Sequence, residues 1–374
     1  MVQQPALPAY RVRFFEAVQD SIGGNLTVVH SRVPNLPNVE TTSFPTIVTR
    51  TVGIGQLLLW DPGQIFVATR PSAHLDVAIL SWNIRYLSLI PALLILRLRG
   101  IPTLVWGHGY SKHERSWRRF LRLAIGRLAV GFIVYDHQTA IDLRESVGCS
   151  HQVFVARNAL DQEPIGAARR IWLRDPTRLE AFREGQNLRG HTLLFVSRLI
   201  PENRVDLLLE AGAKLASPFP SLRIVIVGDG PDRHRLEAIG GRLGLDANIT
   251  WVGQCYDETH LAPWFMLADV FVYPSNAGLS VLHAFGYGIP VVTSGRLERQ
   301  NPEVRAIRPG DNGAFFRDGD ADDLARVLGD LLADEASRKR LGRAALRTVS
   351  EEYSLQSMVE AFATAISTVS PLVG

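Results

Sequence analysis

The chain has 374 residues, 46% apolar and 21% charged, and a formal net charge of +3. That length exceeds the roughly 250 to 300 residues that one core reaches, so it predicts two domains with a cleft between them, and the composition excludes a disordered chain. The only cysteines, Cys149 and Cys255, are far apart, which argues against a disulfide framework or a cysteine metal site and suits a reducing, cytoplasmic setting.

The N-terminal segment MVQQPALPAYRVRFF has no charged region followed by an apolar stretch and a cleavage site, so no secretory signal is expected. Apolar runs at Leu26 to His30, Ile65 to Thr69, Val77 to Trp82, Leu104 to Trp106, Phe132 to Tyr135 and Val153 to Ala156 read as strands separated by helices. This pattern predicts an α/β domain with a parallel sheet covered on both faces. The apolar run from Leu87 to Leu96 is interrupted by Pro91 and closed by Arg97 and Arg99, short of the ~20 residues of a spanning helix.

Ligands of parallel sheets bind beyond the carboxyl ends of the strands. His108, flanked by Gly107 and Gly109 directly after the strand at Leu104 to Trp106, is therefore a candidate functional residue. Residues 111 to 128 follow as a helix. Arg115, Arg118, Arg119 and Arg122 fall on one face, with Trp117, Phe120, Leu121, Ala124 and Leu128 on the other. The apolar stripe is expected to pack on the sheet. The basic face is then either solvated or set against anionic lipid headgroups or a lipid-linked phosphate, which gives a peripheral membrane position. No aromatic ladder or reading motif accompanies the arginines, so nucleic acid is not an expected partner.

Residues 162 to 190 are polar and Arg-rich and read as an interdomain linker. Strands then recur at Leu193 to Val196, Ile224 to Val227, Ile249 to Val252 and Val270 to Tyr273, with helices at Val205 to Leu215, Asp232 to Leu243 and Glu258 to Leu267 between them. The stretch YPSNAGLSVLHAFGYGIPVVTSG, residues 273 to 295, runs from a strand through a Gly-bearing loop into a helix near Leu279 and on to a strand at Pro290 to Thr293. The last segment carries Leu355, Met358, Val359, Phe362 and Ile366 at helical spacing, an amphipathic helix.

Three loops of the second domain should meet at one sheet edge. Arg198 ends a strand, where a guanidinium can fork onto phosphate oxygens. Gly228 and Gly230 make a tight turn that admits a base or ribose. The third loop, with Ser275, Asn276, Gly278, Leu279 and Ser280, presents unpaired N–H groups at a helix start, a seat for phosphate. Together they describe a nucleotide diphosphate site.

The segments LLFVSRLIPENRVDLLLEA, IVIVGDGPDRHRLE, ITWVGQ, ADVFVYPS, HAFGYGIPVV and DNGAFFRDGD, in unbroken order over about residues 190 to 370, resemble the donor-binding domain of family 4 retaining glycosyltransferases. The first half is similar to the family's acceptor half through YRVRFF, RGIPTLVWGHG and VFVARNALD, in a branch from bacterial surface-polysaccharide biosynthesis. The resemblance implies the GT-B fold: two facing Rossmann-like domains with parallel sheets, a deep interdomain cleft and a C-terminal helix crossing back. The boundaries are then 1–185 with 354–374 for the acceptor domain and 186–353 for the sugar-nucleotide domain. It also implies transfer of a sugar from a nucleotide-sugar donor to a hydroxyl of a glycan or lipid-linked glycan, with retention and without a metal or other cofactor. His108 would contact the transferred sugar, and Arg198 the diphosphate.

The chain departs from the family at three positions. The usual pair of glutamates, near the sugar and at the nucleotide ribose, is replaced by Ser275 and His283, and the usual Lys after the arginine loop by Asn203. His283 can still hydrogen-bond a ribose hydroxyl. Two alternatives therefore remain at this level, a non-catalytic sugar-nucleotide or glycan-binding protein and a sugar-nucleotide epimerase of the same fold.

Overall fold

The apolar runs pair into two separate all-parallel sheets in the computed structural model, which describes residues 1–370 apart from 33–37, 55–57, 72–74, 111–115 and 149–150. The chain divides into one unit of Met1–Asn158 with Leu355–Gly374 and a second of Ala159–Ser354.

The first unit contains β1 (Val2–Gln4), α1 (Ala9–Ile22), β2 (Val28–Arg32), β3 (Thr46–Arg50), an antiparallel pair β4 (Val52–Ile54) and β5 (Leu58–Trp60), α2 (Pro62–Thr69), β6 (Ala78–Ser81), α3 (Leu89–Leu98), β7 (Thr103–Trp106), α4 (Ser116–Gly126), β8 (Gly131–Val134), α5 (His137–Val147) and β9 (Gln152–Val155). Its sheet has the order β3-β2-β1-β6-β7-β8-β9. The expected strand at Ile65 to Thr69 is instead the buried helix α2. Pro62 occupies its first position and the Asp61 carboxylate caps it, accepting from the Gly63 N–H. A short apolar run does not separate a strand from a helix buried all round, and here the cap decides.

The second unit contains α6 (Glu163–Leu173), α7 (Pro176–Gly185), β10 (Thr192–Val196), α8 (Val205–Leu215), β11 (Arg223–Val227), α9 (Arg233–Arg242), β12 (Ile249–Gly253), α10 (Glu258–Met266), β13 (Val270–Tyr273), α11 (Ser280–Gly286), β14 (Val291–Ser294), β15 (Gly313–Phe316), α12 (Ala321–Ala333) and α13 (Glu335–Glu351). Its sheet order, β12-β11-β10-β13-β14-β15, reverses direction between β10 and β13, and the crevice above that reversal is where such sheets take ligands.

The expected linker is two helices. Ile165, Ala168 and Trp172 of α6 are buried in the second unit's core, and the Trp172 indole donates to the Thr259 carbonyl at 2.7 Å. The boundary therefore falls at Asn158/Ala159, not at 185/186. Three apolar positions suffice to dock α6, even though its other faces are polar enough to read as a linker.

The chain ends in α14 (Leu355–Val369), which returns to the first unit and packs on α1. Its Phe362 ring lies 5.2 Å from Phe14 and 4.9 Å from Trp106, centroid to centroid. Arg11 is buried above Trp106 at 4.9 Å, and its guanidinium reaches the Met358 sulfur.

Candidate functional site

At the carboxyl edge of the second sheet, the loops after β10, β11 and β13 are tied to one another. A Cβ on Gly228 would stand 1.9 Å from the Ser197 carbonyl oxygen, and one on Gly230 would stand 2.2 Å from that of Leu199. The glycines thus let the β11 loop lie against the β10 loop, where the Leu199 N–H donates to Asp229 and the Asp232 N–H donates to Leu199. Across the switch point, the Tyr273 hydroxyl donates to Ser197 Oγ at 2.9 Å, with burial pushing the Tyr273 phenol up in pKa.

Asn203 is buried and holds this edge together. Its amide donates to the Arg198 carbonyl at 2.7 Å and accepts from the Asn276 amide at 3.0 Å. Asn276 takes a left-handed backbone with φ of 62°, a conformation that asparagine tolerates. The Asn301 amide donates to the Asn276 carbonyl, and the buried Gln300 accepts the Ala277 N–H at 2.7 Å. Asn203 is thus a brace between loops, a role open to a neutral amide and closed to a lysine. Arg204, next in the chain, pairs with Asp206, its Nε lying 3.2 Å from both carboxylate oxygens.

Two groups are left open on this scaffold. The exposed Arg198 guanidinium has no acceptor among the described residues, and neither have the N–H groups of Gly278, Leu279 and Ser280. Ser275 is half-buried beside them.

His283 is not alone. Its Nε2 lies 2.9 Å from Glu258 Oε1 on α10, and the Tyr287 hydroxyl donates to the same oxygen at 2.5 Å. Burial would raise the Glu258 carboxyl, but His283, by hydrogen bond and charge, and the Tyr287 hydroxyl together outweigh it and hold the acid below its ordinary pKa. A carboxylate is therefore present next to the position where sequence comparison finds one missing, supplied from 25 residues upstream. Sequence reasoning missed Glu258, Gln300 and Asn301, since nothing local to any of the three marks its partner.

In the first unit, His108 is exposed at the carboxyl edge after β7, with its ring 5.0 Å from Tyr135. A Cβ on Gly107 would meet the Trp82 carbonyl at 2.9 Å, and Gly109, at φ of +71°, faces Thr139 Cγ2. Arg122 Nη1 donates to the Gly109 carbonyl from below the loop.

That contact overturns the expected orientation of the basic helix. Arg122, Ile125 and Gly126 form the buried stripe of α4, whereas Trp117, Phe120, Leu121 and Ala124 are exposed. A Cβ on Gly126 would sit 2.6 Å from the Phe132 ring, so the missing side chain is what lets this face approach the sheet. Arg119 points outward, Arg118 is half-buried and Arg115 lies outside the described residues.

Residues 177–348 match the family model for glycosyl transferases group 1. The second unit is a group 1 glycosyltransferase domain. The chain is similar to an exopolysaccharide phosphotransferase of Streptomyces coelicolor, with 31% identity over 44% of this chain and 17% of the relative. It is also similar to a lipopolysaccharide core biosynthesis glycosyltransferase, LpsE, of Rhizobium meliloti, with 27% identity over 46% of this chain and 48% of the relative. The chain thus spans about half the length, or less, of these curated relatives. The Anabaena protein Alr3699/HepE, crystallised with UDP, superposes over 98% of both chains with a TM-score of 0.74 at 16% identity, and the shared fold is GT-B.

Among the described residues, no helix is long and apolar enough to cross a membrane. Nor do three His, Cys, Asp or Glu side chains among them gather to hold a metal ion.

Proposed function

We propose that the chain is a retaining, metal-independent glycosyltransferase that moves a sugar from a nucleotide-sugar donor to a hydroxyl of a glycan or lipid-linked glycan in surface-polysaccharide assembly. The observation that carries this reading is the open Arg198 guanidinium on the same braced edge as the open N–H groups of Gly278, Leu279 and Ser280. The relatives named for exopolysaccharide and lipopolysaccharide work support the pathway class, and Alr3699/HepE, crystallised with UDP and with UDP-glucose, supports the donor class.

Departure of the nucleoside diphosphate leaves negative charge on its terminal phosphate, and preorganised donors aimed at that charge lower the barrier. In this reading Arg198 and the three N–H groups supply them. The bond from the sugar's anomeric carbon to phosphate oxygen breaks, the acceptor oxygen bonds to that carbon on the same face, and the acceptor's proton passes to the departing phosphate. Glu258, oriented by His283 and Tyr287, accepts from a ribose hydroxyl, and His108 is the first unit's contact to the transferred sugar.

Titration with UDP, GDP and dTDP tests the assignment. Arg198→Ala is expected to weaken binding of the preferred diphosphate by about 1.5 to 3 kcal/mol, the range for a charge-assisted hydrogen bond. Unchanged affinity removes the diphosphate role. Glu258→Gln should erase the preference for the ribonucleotide over its 2′-deoxy analogue. His108→Ala should lose turnover with nucleotide affinity retained; a variant that fails to fold returns His108 to a structural role.

A further inference from the structure

A concavity of about 890 Å³ opens at the outer end of the first sheet, lined by His30 and Arg32 of β2, Thr46 and Val48 of β3, and Glu40 and Thr42 between them. It follows from how that end of the sheet is covered. Side chains alternate along a strand, and Val29, Ser31 and Thr49 turn to α2. A Cβ on Gly63 of α2 would stand 3.0 Å from Val29 and Thr49, and the Ser31 hydroxyl donates to Asp61. His30 and its cross-strand partner Val48 therefore face the other way. On that side α1 packs with α14, and residues 38–45, which carry no helix, lie over the edge. Asn38 ties them down, accepting from the Leu7 N–H at 2.6 Å and donating to the Ser31 carbonyl at 3.2 Å.

His30 sets this concavity apart from an ordinary surface hollow. It is 4% exposed, yet its Nδ1 has no hydrogen-bond partner among the described residues. A buried ring nitrogen is ordinarily paired by protein, by water or by a ligand. Burial, which outweighs a polar contact with Asn38, holds the imidazole below its ordinary pKa, so the neutral ring can both donate and accept. The rim narrows the choice of ligand. Arg32 and Glu40 are exposed, opposite in charge and without an ion pair among the described residues. Their charges cancel, which disfavours a phosphate or carboxylate, and an apolar ligand would leave the His30 nitrogen unpaired. A sugar answers both conditions. Its hydroxyls donate to and accept from a carboxylate, a guanidinium and an imidazole, while its C–H face can lie on Val48.

We propose that this concavity is a second carbohydrate site, which holds one sugar unit of a glycan among His30, Arg32 and Glu40 and takes no part in transfer. In the sheet order β2 lies three strand spacings, about 14 Å, from β7, whose carboxyl end carries His108. A sugar bound here is a distal part of the chain, not the unit that reacts. That the glycan is the acceptor rests on the function proposed above; that a sugar binds does not.

Saturation-transfer NMR of the full chain with the methyl glycosides of glucose, galactose, mannose and N-acetylglucosamine, with the preferred nucleoside diphosphate in excess, tests this. At least one glycoside should bind, and His108→Ala should leave that binding unchanged. Glu40→Ala should weaken it by about tenfold, as for the loss of a hydrogen bond to a charged group. Val48→Trp, which fills the hollow from a position 48% exposed, should abolish it. His30→Phe should lose glycoside binding with melting retained, because the ring stays and only its nitrogens go. Nucleoside diphosphate affinity should be the same in all these variants; if the wild type binds a glycoside but no diphosphate, the donor reading fails and this site stands. Wild type that binds no glycoside overturns the proposal, as does binding that survives both Glu40→Ala and Val48→Trp or that disappears with His108→Ala. Glycine betaine bound here in place of every glycoside would assign the opposite charges of the rim to a zwitterion and overturn it as well.

Discussion

Two amphipathic helices of the first unit, α14 and α4, carry equally clear apolar stripes and use them in opposite ways. The α14 stripe of Met358, Val359, Phe362 and Ala365 is buried against α1 and the sheet, with Phe362 in an aromatic cluster with Phe14 and Trp106. The α4 stripe of Trp117, Phe120 and Leu121 faces water, and the opposite face, with a buried arginine and a glycine, meets the sheet. The contrast teaches that periodicity establishes that a helix has two faces, whereas close packing decides which one goes inward. At α4 a glycine beside the Phe132 ring and a backbone carbonyl for Arg122 outweigh three large apolar side chains.

The comparison can be broken at either helix, and the largest effect is expected at α14. Phe362→Ala should destabilise the first unit by about 3 to 5 kcal/mol in denaturant unfolding, the cost of removing a fully buried ring from a packed cluster. A loss below about 1 kcal/mol would mean that α14 is not part of that core.

Gly126→Val should cost about 1 to 3 kcal/mol, because its side chain would enter the space of Phe132 and Trp82. Should the variant melt like wild type, α4 does not press on the sheet through this face and the buried stripe is misassigned. The smallest effect is expected for Phe120→Ser, within about 0.5 kcal/mol in the same assay, as for an uncovered surface position. A markedly destabilised Phe120→Ser protein would show the ring to be covered, and α4 would then resemble α14 after all.

Much of the second unit was legible in the sequence. The helix expected at Val205 to Leu215 and the strand expected at Val270 to Tyr273 occur with those bounds, and the four other strands expected in this sheet differ by one residue at one end or both. Buried parallel strands read as continuous apolar runs, and helices packed by one face read as periodic ones, so local pattern and burial agree there. The same logic located the loops carrying Arg198, Gly228, Gly230 and Gly278, since strand ends fix where loops emerge.

What the sequence determined by itself, then, was the order of elements, the parallel sheets and the edge on which a ligand site could form, because each rests on contacts within a strand, a helix or a single turn. Tertiary structure alone decided that residues 62–69 are a helix, that α6 joins the second core, that Asn203 is a brace, that His283 is partnered by Glu258, and that α4 shows its apolar side to solvent. Those outcomes depend on partners up to 87 residues away, as between Trp172 and Thr259, where steric fit and hydrogen-bond satisfaction between elements, rather than the composition of either one, set the free energy.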